Sequence, residues 1–338
     1  MSPGCAWVAL VLTQAAPIEV HGYVDAYYAY NFNHPADGTN FIAGAGTSAK
    51  RAGEVSLNLA AIDVGMKPAP VGFRLILNAG TSAEVVHAGE PPAPFVGPQA
   101  WRLVQQASAI WEPTPKWHLE AGIYPSHIGF ETLPSKDNWT YTRGDMGELT
   151  PYYQAGVMAK YAFTDQLSAQ LHVINGWQII GDNNRAKTVG TQLAWSTDAV
   201  SIAFNTCLGP ELPADDHDWR FFGDLVATWK PTSTLSLAAS ADAAFQQPAS
   251  TWKAASLWAR YAVSDAIAFA GRAEVFDDTD GAISGTAQQL WEGTATLEVR
   301  PASALIIKLE GRYDQSTAPS FSGSTNQLLV VLGTVAAL

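Results

Sequence analysis

The chain has 338 residues, of which 47% are hydrophobic and only 15% are charged, and its formal net charge is −12. This acidic balance argues against nucleic acid as a partner, because binding it requires a basic face that releases counterions. The only two cysteines, Cys5 and Cys207, match no zinc or redox motif, and removal of an N-terminal segment would leave Cys207 without an internal partner.

The N-terminus is typical of a secretory signal. Cys5 to Leu12 form an apolar run, and Thr13-Gln14-Ala15 is an acceptable small-residue cleavage site. We therefore predict a signal peptide over residues 1–15, with an ordinary buried strand as the alternative, and a single domain over residues 16–338. No later segment has 18 consecutive apolar residues, so a helical membrane span is not predicted.

From residue 18 onward, apolar and polar residues alternate with a period of two, which is typical of strands with unlike faces. The first strand places Val20, Val24 and Tyr28 opposite His21 and Asp25. The same alternation recurs in residues 235–245 and is sharpest in residues 305–314. The pattern predicts an all-β chain.

Breaks between the strands are of two kinds that alternate along the sequence. The short ones are rich in turn formers and fall near Lys67–Pro70, Glu112–Lys116, Thr164–Gln166, Ser196–Ala199, Lys230–Thr234, Ala262–Asp265 and Arg300–Ala304. The long ones include 33–53, 87–98, 125–150, 209–219, 277–288 and 315–325. Seven short and eight long breaks predict about 16 strands, with 14–18 allowed. An even number puts both termini on one side.

Strand length and aromatic placement favour a membrane barrel over a soluble sandwich. The strands run to about 10 residues, enough to cross a bilayer at a tilt. Aromatic residues gather at strand ends, where amphipathic rings prefer the headgroup layer. Those flanking the short breaks are Trp111, Trp117, Tyr161, Phe163, Trp195, Trp229 and Tyr261, and those near the long breaks are Tyr30, Phe32, Tyr124, Trp177, Phe245, Phe276, Trp291 and Tyr313. The fold predicted is a transmembrane antiparallel up-and-down β-barrel.

A barrel of about 16 strands is too wide for side chains to fill, so its lumen holds water and conducts small solutes. Its inward faces are expected to carry both signs of charge, at Arg102, Glu120, Lys160, Arg272, Glu274, Lys308, Glu310 and Arg312. Such charges either pair as solvated wall residues, with Arg272 next to Glu274 and Glu310 next to Arg312, or act together to set ion selectivity. The near balance of the wall and the acidic loops predict a weak preference for cations.

The longest loop, residues 125–150, is the candidate constriction. Its charged residues include Glu131, Asp137, Arg143 and Asp145. Folded inward, the loop would narrow the lumen and bring both signs of charge into the pore. A solvated external loop is the alternative, and the sequence favours neither.

Several motifs resemble a known family. They are His21-Gly22-Tyr23-Val24-Asp25, Gly122-Ile123-Tyr124-Pro125, Gly129-Phe130-Glu131, Tyr141-Thr142-Arg143, Pro151-Tyr152-Tyr153 and Asn175-Gly176-Trp177. With these motifs the chain resembles the OmpL-like β-barrel porins. The resemblance implies an outer-membrane porin with structural or pore-lining roles for Glu131, Arg143 and Asn175, and it brings no particular solute.

The remaining interpretations are weaker. A barrel enzyme would need a nucleophile and a base together, but no Gly-x-Ser-x-Gly or His-Glu-x-x-His motif occurs. His118 and Glu120 share a face, yet two ligands do not make a zinc site. Asp278-Thr279-Asp280-Gly281 lacks the first and last ligands of a calcium loop. A secreted sugar-binding sandwich is disfavoured by the placement of the tryptophans.

We therefore expect a porin of a Gram-negative bacterium, without cofactor or metal. Its partners would be outer-membrane lipid and lipopolysaccharide, the barrel-assembly machinery and small hydrophilic solutes. Porins of this size are often trimers, so a homotrimer is one arrangement to test. A plugged or substrate-specific channel is the alternative function.

Overall fold

The computed structural model describes residues 16–91 and 98–338, with the side chains of 98 and 99 left out, so the predicted signal peptide at 1–15 lies outside the described residues. Sixteen antiparallel strands form a closed barrel. They are β1 (Ile18–Asn31), β2 (Val55–Met66), β3 (Val71–Ala79), β4 (Val104–Thr114), β5 (Trp117–Pro125), β6 (Tyr153–Ala162), β7 (Leu167–Ile174), β8 (Thr188–Ser196), β9 (Val200–Pro210), β10 (Trp219–Trp229), β11 (Leu235–Gln246), β12 (Ser250–Ala262), β13 (Ile267–Asp278), β14 (Gln288–Ala302), β15 (Leu305–Ser316) and β16 (Asn326–Ala337). The predicted fold and strand number are confirmed.

The barrel closes between its first and last strands. Each strand pairs with its sequence neighbours, and β1 pairs with β16 from Tyr23 opposite Ala337 to Asn31 opposite Leu329. Closure leaves no open strand edge. Hydrocarbon offers no hydrogen-bond partners to the backbone N–H and C=O groups of such an edge.

The period of two separates a lipid-facing surface from a polar interior. In β15, Leu309 and Tyr313 are exposed on the outside, whereas Lys308, Glu310 and Arg312 are buried inside. The outer surface matches the apolar band that lipid requires, and the inner surface carries the charges.

The seven short turns fall where the sequence predicts them, on the side that also holds both barrel termini. One connection of the opposite side differs from the expectation, because residues 247–249 join β11 to β12 with a tight turn. The described parts of the other connections contain three short helices, α1 (Thr81–Val86), α2 (Pro98–Trp101) and α3 (Asp145–Glu148), and a 3₁₀ turn at Ser135–Asp137. No helix among the described residues is long and apolar enough to cross a membrane.

The aromatic prediction is confirmed near the short turns but is wrong at three positions of the other end. Trp111, Trp229 and Tyr261 are exposed on the outside, as expected. Tyr124 and Phe276 are buried in the interior because they share the inward parity of Glu120 and Glu274 in their strands. Trp177 lies in a loop and packs edge-on against Phe222 inside the barrel.

Candidate functional site

The connection between β5 and β6, residues 126–152, lies inside the barrel; we call it the inserted loop. Tyr141 and Arg143 near its centre are both 0% exposed. Of the two positions considered for this loop, the external one is therefore wrong. A segment placed this way occupies cross-section that an empty barrel of 16 strands would leave to water.

One anchor of the inserted loop is on β1. The Tyr141 hydroxyl donates to Asp25 at 2.8 Å, and the Ser135 hydroxyl donates to the other oxygen of the same carboxylate. The Tyr141 ring lies over Gly333 of the neighbouring strand β16, where a larger residue would collide with it. The sequence motif that contains Asp25 thus fixes the centre of the loop.

A second set of anchors comes from β15. The Lys308 ammonium donates to the carbonyls of Ser135 at 2.8 Å and Asn138 at 2.5 Å. The Glu310 carboxylate accepts the backbone N–H groups of Tyr141 at 2.5 Å and Thr142 at 3.0 Å. Charged wall residues here satisfy backbone groups that the loop could not pair by itself.

The third set lies on β13, β14 and β15, across the barrel from β5. Arg272 donates to Glu131 of the loop at 2.7 Å and to Glu292 at 2.8 Å. Arg312 pairs with Asp314 at 2.8 Å and reaches Asp145 at 3.5 Å. These partners correct the sequence interpretation, which paired Arg272 with Glu274 and Arg312 with Glu310.

Glu274 binds the inserted loop directly, by accepting the backbone N–H of Met146 at 2.8 Å. Neighbouring Asp145 is almost fully buried. Burial raises the pKa of the Asp145 carboxyl, and the charge of Arg312 opposes that rise. This region therefore contains more buried carboxyl groups than cationic groups to neutralise them.

Arg143 joins the inserted loop to the loop of residues 33–53, for which the sequence predicted only a long break between strands. Its guanidinium donates to the carbonyls of Thr132 at 3.0 Å and Leu133 at 2.5 Å, and to the Thr47 hydroxyl. Thr47 in turn donates its backbone N–H to Glu148 at 2.9 Å. Both loops are thus bonded to each other within the lumen.

The predicted site residues divide into one cluster and four outliers. The cluster joins the inserted loop to the wall and comprises Glu131, Arg143, Asp145, Arg272, Glu274, Lys308, Glu310 and Arg312. All eight have buried side chains, so they anchor the loop and do not line open water.

The outliers lie elsewhere. Asp137 is exposed beside Lys136, and Glu120 is buried against Ser108. Lys160 lies on β6 near a short turn. The placement of Arg102 on a strand face was wrong, because it precedes β4 in the loop after α2 and its nearest acid, Glu84, is 3.9 Å away.

The sequence interpretation missed several residues of this network. Glu292 has the inward parity of Thr294, so alternation alone could have found it; alternation did place Asp314 on the polar face with Arg312, but Asp314 was not chosen as a site residue. Thr47 lies in a loop, where no alternation of apolar and polar residues could predict that it faces the lumen. Asn175, which the resemblance implied, donates to the Ile180 carbonyl at 2.9 Å and holds its own loop together.

Space is left on the other side of the inserted loop, against β3 and β4. A cavity of about 240 Å³ lies there, bounded by Arg74, Gln106, Asp137 and Tyr152, with loop residue His87 at its edge. Arg74 forms a bidentate pair with Asp63, at 3.1 and 2.6 Å, and is half exposed. In the described part of the chain, no three His, Cys, Asp or Glu side chains are grouped to hold a metal ion.

A sequence model of the family described as "Putative beta-barrel porin-2, OmpL-like" matches residues 17–338. The chain belongs to this family. Its place is the bacterial outer membrane, as the porin family and the barrel with its lipid-facing surface both indicate. By sequence alone, no curated protein matches the chain.

Solved structures of outer-membrane proteins share the fold of this porin-family chain. The channel DcaP of Acinetobacter baumannii has a TM-score of 0.64 at 10% identity, over 96% of this chain and 98% of that one. OmpT of Vibrio cholerae gives 0.63 at 10% identity, over 96% and 99%. An anion-selective porin from Comamonas acidovorans gives 0.62 at 9% identity, over 95% and 99%. Identities this low support the fold alone.

Proposed function

We propose that this protein is a narrow outer-membrane channel for passive diffusion of ions and small hydrophilic solutes. The observation that carries the proposal is the inserted loop. It leaves β5, reaches β13 and β15 across the lumen, and returns to β6, bonded through Arg272, Lys308 and Glu310. Such a loop turns a wide barrel into a restricted passage.

Burial of the anchoring charges favours a small passage over a wide one. A solvated ion pair contributes little, so it would hold a loop loosely. Here Arg272 and Arg312 are buried with their acids, and removal of one partner of a buried pair is costly. The loop is therefore a fixed part of the wall, and solutes pass between it and the side of β3 and β4.

We further propose a weak cation preference. Accessible charges on the lumen side are close to balanced, as the pairing of Arg74 with Asp63 illustrates. The chain carries a net charge of −12, and Asp215, Asp216 and Asp218 lie together in one outer loop. A negative mouth raises the local concentration of cations.

An enzymatic role is not part of the proposal. The nearest arrangement to a catalytic one comprises His118, Glu120 and Ser108 on the inner wall. The Ser108 hydroxyl donates to Glu120 at 2.5 Å, and His118 bonds to Glu112 at 2.8 Å. In a hydrolase triad the serine hydroxyl donates to the histidine, whereas this hydroxyl donates to the Glu120 carboxylate.

The same proposal includes the surroundings of the chain. The lipid-facing surface would contact outer-membrane lipid, including lipopolysaccharide in the outer leaflet of a Gram-negative cell. The barrel-assembly machinery would insert the chain into that membrane. A homotrimer is proposed as the assembly and can be tested by cross-linking in detergent. Residues 1–15 are proposed as its signal peptide.

The test is single-channel recording of the full-length protein in a planar bilayer under a salt gradient. We expect stable conductance steps, with a reversal potential of the sign that cation preference gives. Folded protein that gives no steps would refute passive diffusion and favour the plugged alternative. A reversal potential of the opposite sign would refute only the ion preference.

A loop-shortened variant sharpens the test. Replacing 132–148 with a short Gly-Ser linker removes the part of the loop that reaches β13 and β15. Conductance should rise several-fold, because the freed cross-section fills with water. A linker of equal length in place of 33–53 tests the neighbouring loop separately. An unchanged conductance after removal of 132–148 would contradict the proposed constriction.

A further inference from the structure

We propose that the cavity between the inserted loop and the wall of β3, β4 and β6 is a binding site for a neutral polyol of monosaccharide size. The proposal rests on the proposed channel function, since the cavity lies on the passage left by the loop. Its volume of about 240 Å³ would hold about eight waters at ~30 Å³ each.

The first recognition group is Gln106 of β4. Its side-chain amide nitrogen donates to Ser108 Oγ at 3.2 Å and Glu120 Oε1 at 3.1 Å. The carboxylate accepts only, so these two bonds fix which end of the amide is nitrogen. The Oε1 atom of this buried side chain then has no partner among the described residues. It is a buried acceptor without a protein partner, in a side chain that lines the cavity.

The second group is His87, which follows α1. Its ring is buried and stacks on Tyr153 with centroids 4.6 Å apart. The ring hydrogen-bonds to the backbone of Val104, while Nδ1 has no partner in the described part of the chain. Burial, helped by the charge of Arg102, lowers the pKa of His87 to about 4. The ring is therefore neutral at pH 7, and Nδ1 is a second acceptor.

The charges around the cavity are already paired. Asp63 holds Arg74 through two bonds, and Lys136 lies 2.8 Å from Asp137. A charged ligand would have to break one of these pairs, whereas a neutral one would not. The acceptors therefore call for a neutral molecule that donates hydrogen bonds.

Apolar surface completes the site. Pro125, Pro134, Pro151 and the ring of Tyr152 also line the cavity. These flat faces can pack against the C–H groups of a ligand, as apolar and aromatic side chains do in many ligand sites. A compound with hydroxyl groups on a compact carbon skeleton meets both requirements, which is the chemistry of a polyol.

The test uses the full-length protein in a planar bilayer and D-sorbitol as the probe. We expect the ion current to fall with sorbitol concentration along a saturating curve. Gluconate, an anion, and glucosamine, a cation, should block far less at equal concentration. A linear decrease that only follows solution viscosity would overturn the proposal. Equal block by a charged analogue would overturn the neutral class.

Variants locate the site. Gln106→Leu and His87→Phe should each raise the half-blocking sorbitol concentration by about 5–10-fold, as expected for one lost hydrogen bond. Gln170→Leu is the matched control, since Gln170 lies on β7, bonds to the wall residues Gln192 and His172, and does not line the cavity. An equal shift in the control, or none in either site variant, would overturn the location.

Failure of the channel proposal can be distinguished from failure of the binding-site proposal. If the folded protein conducts no ions, sorbitol binding to the detergent-solubilised protein is measured by calorimetry with the same variants. Heat that saturates, and that weakens in Gln106→Leu, would support the site in a closed barrel. Absence of saturating heat would overturn it.

Discussion

The guanidinium of Arg272 donates to Glu131 Oε1 at 2.7 Å, although the two residues belong to opposite sides of the barrel. Arg272 lies on β13, which is eight strands from β5, where the inserted loop begins. The same guanidinium binds Glu292 at 2.8 Å. One cation thus neutralises a loop carboxylate and a wall carboxylate, which ties the loop to the far wall.

Substitution Arg272→Met should release this end of the inserted loop. Glu131 and Glu292 would lose their shared cation while still buried, which costs about 3–5 kcal/mol in comparable buried pairs. We expect a lower melting temperature in detergent and a larger, noisier conductance. Both are measured on one preparation, by circular dichroism and by bilayer recording.

The control is Arg260→Met on the neighbouring strand. Arg260 pairs with Glu298 at 2.9 Å but keeps 27% of its side chain exposed. Loss of such a pair costs within about 1 kcal/mol. If both variants behaved alike, the buried network would have no special part in holding the loop.

Substitution Gly333→Ala should displace the Tyr141 ring. The added Cβ would collide with that ring, which is buried and bonded to Asp25 and cannot swing away freely. Overpacking of this kind costs about 1–3 kcal/mol. The melting temperature should fall, whereas Gly311→Ala should leave it unchanged because its Cβ meets nothing within 4 Å. Equal melting temperatures would place Tyr141 elsewhere.

Substitution Arg143→Lys should loosen the loop of residues 33–53. A lysine keeps the charge but lacks the planar set of donors that binds the Thr132 and Leu133 carbonyls and Thr47 together. The expected cost is about 2–3 kcal/mol for buried carbonyls left unpaired. Trypsin should then cut faster after Lys50, which is half-buried in the docked loop.

Arg185→Lys is the matched control for that experiment. Arg185 lies in an outer loop, and no ion pair to it is found among the described residues. Trypsin cleavage after Lys50 should stay at the wild-type rate. Faster cleavage in both variants would mean that the 33–53 loop is not held by Arg143.

The barrel could be predicted from sequence because lipid imposes a local rule. Outward positions such as Leu309 must be apolar, whereas inward positions such as Glu310 can be polar. Apolar and polar residues therefore alternate with a period of two along every strand. Turn residues at each short break fix the strand ends. Tyr124 and Phe276 were misplaced when strand-end position was weighed without parity, so that error was avoidable.

The inserted loop could be suspected but not placed. Its charges mark it as unusual, yet a charged loop is equally stable in water outside the barrel. Its position depends on pairs between distant segments, such as Lys308 with Ser135 and Arg143 with Thr47. No local pattern encodes these partners. The cavity at Gln106 and His87 depends on three separate segments and was invisible for the same reason.

The docking of α1 should depend on pH through His87. The pKa of His87 is lowered to about 4 from 6.5, chiefly by burial, so the undocked segment binds a proton more readily than the docked one. Docking is therefore fully favoured above about pH 6.5 and weakens as pH falls towards 4, by up to about 3 kcal/mol. Hydrogen-exchange protection of residues 81–88, corrected for intrinsic rates, should decrease over this range. His87→Phe keeps the ring stacked on Tyr153 but cannot titrate, so its protection should stay flat. A wild-type profile as flat as that of the variant would show that His87 does not control docking.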